Sequence, residues 1–107
     1  MSAIVLERVP VERADRAATR GALLAACRAF MQAGELRPPM QACCARAGRS
    51  LRTGVYLFGT AEAFRLEAAD DAATRDAIVE RILGDARAAL PDEALCRLVR
   101  AVVTGVA

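Results

Sequence analysis

Apolar residues recur along this chain at intervals of three and four rather than two, the spacing of one face of an α-helix. The cleanest stripe lies near the C-terminus, where Leu95, Leu98, Val99, Val102, Val103 and Val106 fall at i, i+3, i+4, i+7, i+8 and i+11 behind Pro91 and Asp92. Upstream, Glu12 to Ala33 reads as a helix with Leu23, Leu24, Cys27, Phe30 and Met31 on one face and arginines mostly on the other. Glu12 and Asp15 suit its first turn, and Gly34 is a left-handed stop. The residues ahead of it, through Val9-Pro10-Val11, read as an irregular arm.

Shorter elements follow. After a connector over 35–38, Pro38-Pro39 mark a second helix, in which Met40, Cys43, Cys44 and Ala47 form a two-turn stripe ended by Gly48. Ser50 is an N-cap for a third helix to about Phe58, with Leu51, Val55 and Phe58 as inward positions and Arg52, Thr53 and Tyr56 as outward ones. Helix, glycine-containing turn and helix within about twenty residues is the pattern of a helix-turn-helix. Thr60 caps a fourth helix from about Ala61, with Ile78, Ile82, Leu83 and Ala86, to about Ala89; Asp70-Asp71 is the place where it would break. The expected fold is all-α and a single domain over 1–107. A three-helix helix-turn-helix head (12–66) is followed by two further helices in a short packing or dimerisation region (67–107).

Composition agrees with helix, because much of the 55% hydrophobic content is alanine and the aromatics are only Tyr56, Phe30, Phe58 and Phe64. Charges interrupt every apolar run before it reaches the ~18 residues of a membrane span, and the early Glu7, Arg8 and Pro10 do not resemble a signal peptide. A soluble cytoplasmic protein is the expectation. Cys27, Cys43, Cys44 and Cys96 come without a CxxC pair or any histidine, so they read as small apolar residues, with no metal or cofactor expected. A Cys43–Cys44 disulfide within one helix would be strained. Without histidine, a glycine-rich phosphate loop, or a nucleophile with a base at workable spacing, no enzyme activity is expected.

Charge adds a direction. Up to Arg65 ten arginines face five acids; beyond it five arginines face eight acids, leaving the total at +2. A basic front and an acidic back fit a polyanion-binding head on a solvated packing module. Placed in a major groove, the third helix would offer Arg49 and Arg52 to guanine edges or phosphates and Ser50, Thr53 and Tyr56 to backbone or bases.

The order of features from Thr19 to Leu66 resembles the DNA-binding domain of bacterial tetracycline-repressor (TetR) type regulators. Thr19-Arg20, Leu23-Leu24-Ala25-Ala26, Phe30 and Gly34 are similar to that family's opening helix. Met40 to Gly48 resembles its second helix, with Cys43-Cys44 in place of an Ile-Ala pair, and Ser50 with Thr53 its recognition-helix Ser-x-x-Thr. Phe58, Gly59, Glu62 and Phe64 resemble the turn into its fourth helix. The chain departs from the pattern at Pro38, Val55 and Ala61, where the family carries phosphate-facing groups, and gains Arg49 and Arg52. The resemblance implies a small transcriptional regulator that binds double-stranded DNA, shortened beyond Leu66 so that no room remains for a typical effector pocket.

The final stripe, Leu95, Leu98, Val99, Val102, Val103 and Val106, is the expected homodimer interface, since a chain this short has little core to cover it. Two heads about 34 Å apart would then meet successive turns of one duplex face. The alternative is a helical anti-activator or antirepressor that binds another transcription factor, and not DNA, through the same stripe.

Overall fold

Local stop and start signals divide the chain into α1 (Ser2–Gln32), α2 (Met40–Arg46), α3 (Leu51–Phe58), α4 (Ala61–Ala69), α5 (Ala72–Leu83), a 3-10 turn (Gly84–Ala89) and α6 (Asp92–Thr104). The computed structural model describes the backbone of residues 2–105 and the side chains of residues 15–105. Among these residues all regular structure is helical. Met40 to Phe58 is two short helices joined by a turn at 47–50, the helix-turn-helix expected from the sequence.

Side-chain caps account for several boundaries. Ser50 Oγ accepts the Thr53 amide at 3.2 Å at the start of α3, and Thr60 Oγ1 accepts the Ala63 amide at 3.0 Å at the start of α4. The long fourth helix breaks where the aspartates stand, because the Asp71 carboxylate accepts both the Thr74 amide (3.1 Å) and its hydroxyl (2.7 Å) and opens α5. Those two bonds, the hydroxyl first, hold the Asp71 carboxyl below the usual aspartate range. Thr74 itself is buried, and its oxygen accepts from Gln32 Nε2 at 3.0 Å, tying α5 to α1.

Two boundaries differ from the expectation. The first helix starts at Ser2 rather than Glu12, so no irregular arm precedes it; alanine, leucine, glutamate and arginine there favour helix, and Pro10 removes one hydrogen bond without ending the run. At the other end α5 stops at Leu83 instead of reaching Ala89, because Gly84 takes φ +53°, a conformation that side-chain-bearing residues rarely adopt.

The core is a single cluster. Leu23, Cys27 and Met31 of α1 meet Met40, Cys43 and Cys44 of α2, Phe64 and Ala68 of α4, Ile78 of α5, and Val99 and Val103 of α6. Helix α4 is the hub, packing on α1, α3, α5 and α6. Three arginines of the basic front half serve as staples rather than surface charge. Arg28 Nε donates to the Ala68 carbonyl at 2.8 Å, Arg65 Nε donates to the Val103 carbonyl at 2.7 Å, and Arg20 donates to the Leu57 carbonyl at 3.2 Å while pairing with Glu67. Carbonyls in a last helical turn lack intrahelical donors, which makes them ready acceptors for a guanidinium.

Candidate nucleic-acid interface

Helix α3 is held by the absence of a side chain. A Cβ on Gly54 would lie 2.7 Å from Cys44 Sγ and 3.0 Å from Met40 Sδ, so glycine lets α3 cross α2 at close range. Gly54, Leu57 and Phe58 therefore face the body of the protein, with the Phe58 ring 4.6 Å from that of Phe64. This rotation corrects the expectation for Leu51 and Val55, which point outward at 43% and 49% exposure instead of packing in the core. Phe58 is half-buried against the core as expected.

On the outward side, Arg49, Ser50, Arg52 and Tyr56 are exposed and Thr53 is half-buried, so the five candidate DNA-contacting residues of the sequence lie together on α3 and the turn before it. The Ser50 and Thr53 hydroxyls are 3.0 Å apart and hydrogen-bonded to each other, so both take part in the helix cap. Tyr56 is 73% exposed, and the Arg16 guanidinium stands 5.9 Å from its ring centroid. The guanidinium groups of Arg49 and Arg52 make no ion pair or hydrogen bond with another described residue. No acid occurs from Leu36 to Ala61, while Arg37, Arg46, Arg49 and Arg52 all fall in that stretch. The side chains of Arg49 and Arg52 are therefore free to meet an anion, and the acid nearest the helix end, Glu67, is held by Arg20.

Sequence reasoning missed Arg16, Leu51 and Val55 as members of this face. A legible signal was Gly54 itself: a glycine inside a short helix marks the side of closest approach, and it would have rotated the inward stripe by more than a turn position.

The α6 stripe is spent largely within the chain. Val99 and Val103 are 2% and 0% exposed, packed against α4 and α5, and Leu95 is half-buried on the same core. The expectation is corrected at Val99 and Val103, which face inward because α6 folds back across its own domain, pinned through Arg65. Leu98 and Val102 remain half-buried at the edge of an open groove of about 1010 Å³, shared with Leu36, Arg37, Arg65 and Ala101. Val106 lies outside the described residues.

The thiols do not extend the site. Cys27, Cys43 and Cys44 are buried and Cys96 is exposed. The Cys27 thiol is pushed up by its hydrogen bond with Cys43 and by burial, and burial raises Cys44 as well, so both stay protonated at neutral pH. Among the described residues no three of His, Cys, Asp and Glu gather closely enough to hold a metal ion, and no helix is long and apolar enough to cross a membrane. Comparison with protein-family models, with curated proteins and with solved structures finds no match to this chain.

Proposed function

We propose that the chain is a small DNA-binding transcriptional regulator of the TetR-like kind, docking α3 in the major groove. The observation that carries this reading is the unpaired Arg49 and Arg52 beside Ser50, Thr53 and Tyr56 on the outward face of the second helix of a helix-turn-helix, in a stretch without acids. Arg52 sits at the centre of that face and suits a guanine edge through its planar fork, while Arg49 and Arg16, which stands over Tyr56, flank it toward the phosphates. A mobility-shift titration tests this directly. Duplex binding should fall with a log–log salt slope of about −2 for each copy bound, from ~0.9 per neutralised phosphate and the two flanking arginines. Arg52→Ala should weaken binding about tenfold with the fold intact. Absence of duplex binding even at low salt removes the reading.

In this reading two copies pair through what α6 leaves open, the groove edged by Leu98 and Val102, and the mass of the protein in solution reports the pairing. The same groove supports a second reading, a regulator that binds another transcription factor and not DNA, because Leu36, Leu98 and Val102 line it together with the charged Glu35, Arg37 and Arg65. That reading expects Leu98→Asp with Val102→Asp to abolish partner binding while no duplex is retained.

A further inference from the structure

Two large apolar side chains lie in water beside the unpaired guanidinium groups of Arg49 and Arg52. Leu51 and Val55 are one helical turn apart on α3, at 43% and 49% exposure, and neither belongs to the core cluster. At about 100° per residue, Val55 is turned about 60° from Arg52 around the helix axis, and Leu51 lies just beyond it. The face presented outward is therefore half cation and hydroxyl, half aliphatic.

We infer that Leu51 and Val55 read the C5-methyl groups of thymines next to a guanine held by Arg52. The inference rests on the DNA-binding reading above and adds the base content of the site. Charge selects the class of partner, since a surface with Arg16, Arg49 and Arg52 and no acid from Leu36 to Ala61 attracts a polyanion. An aliphatic stripe within such a surface needs an apolar group on the polyanion. In the B-form major groove the thymine methyl is that group, and it is absent from RNA, whose major groove is also too deep and narrow for side chains to read. The spacing fits, because Leu51 and Val55 are about 6 Å apart along the helix, just under two base steps of ~3.4 Å.

The test uses duplexes recovered by the 107-residue protein from a randomised pool at low salt, each resynthesised with deoxyuridine in place of thymine. Removing only the methyls should weaken binding about fourfold per contacted thymine, the equivalent of ~0.8 kcal/mol for each buried carbon. Val55→Ala and Leu51→Ala should erase that thymine-over-uracil preference while keeping the salt slope and the effect of Arg52→Ala. Both substitutions lie at exposed positions, and circular dichroism checks that helix content is unchanged. Equal affinity for thymine and uracil duplexes overturns the inference and leaves DNA binding standing. Recovery of no duplex overturns both, as does a homodimer in solution that Val55→Glu dissociates, which would assign the stripe to a second copy.

Discussion

Helices α3 and α6 each carry an aliphatic stripe, and the protein uses the two in opposite ways. The six-residue stripe of α6 is the one that looks made for a partner, yet Val99 and Val103 are buried within the chain. The short stripe of α3 looks made for the core, yet Leu51 and Val55 stand in solvent. Periodicity establishes that a helix has two faces; which face is covered depends on what lies across from it. For α6 the opposing surface is the apolar side of α4 and α5, with Phe64, Ala68 and Ile78, on which it packs. For α3 the approach to α2 is so close that only a glycine fits, and Gly54 rather than Leu51 or Val55 turns inward.

The comparison breaks most visibly under matched acidic substitutions. Val103→Asp places an unpaired charge where exposure is 0% and should cost about 4 kcal/mol or more, most of the stability of a domain this size, whereas Val55→Asp should change stability by less than ~0.5 kcal/mol. Urea denaturation of the two variants, read by circular dichroism, distinguishes them, and equal losses would mean that α3 is packed as the sequence pattern suggests. Gly54→Ala sharpens the point through its sign. Alanine in a helix normally stabilises by about 1 kcal/mol over glycine, but the overlap with Cys44 Sγ should make this change destabilising by about 1–3 kcal/mol. Cys44→Ala in the same chain should recover part of the loss, a coupling that a double-mutant cycle measures.

Arg65→Met tests what holds α6 down. Losing the bond to the Val103 carbonyl should cost about 1 kcal/mol and increase amide exchange in the last turn of α6 more than elsewhere. The smallest effect concerns the start of α5. Asp71 has a depressed pKa, so its contribution is present above the ordinary aspartate value and is lost as pH falls through the lowered one. Asp71→Asn keeps a capping oxygen without titrating, so the melting-temperature difference between wild type and this variant should shrink in acid and be constant from pH 5 to 8.

What was legible in the sequence was local. Gly34, Pro38-Pro39, Gly48, Ser50, Gly59-Thr60 and Asp71 act on their own neighbours, and each marks a helix end close to where the structure has one. That Arg49, Ser50, Arg52 and Tyr56 share the solvent side of α3 and the turn before it was legible for the same reason, since polar residues at i and i+4 stay together whatever the helix packs on. Long-range pairings were not. Nothing near Arg28 in the chain shows that its guanidinium reaches the carbonyl of Ala68, forty residues away, nor that Arg20 and Arg65 also leave the surface pool. The basic count of the front half therefore overstates the free positive charge, while the acid-free run around α3 locates where that charge remains.

Arg20 carries a consequence for whatever approaches α3. Its guanidinium lies at the negative end of that helix's macrodipole, on the Leu57 carbonyl and 4.5 Å from the Phe58 ring centroid, with Glu67 holding it from behind. The partial negative charge of the carbonyl oxygens is thereby muted at the trailing tip, as the Ser50 cap satisfies the Thr53 amide at the leading one. The trailing carbonyl of this eight-residue rod is thus met by a guanidinium whose own charge Glu67 balances.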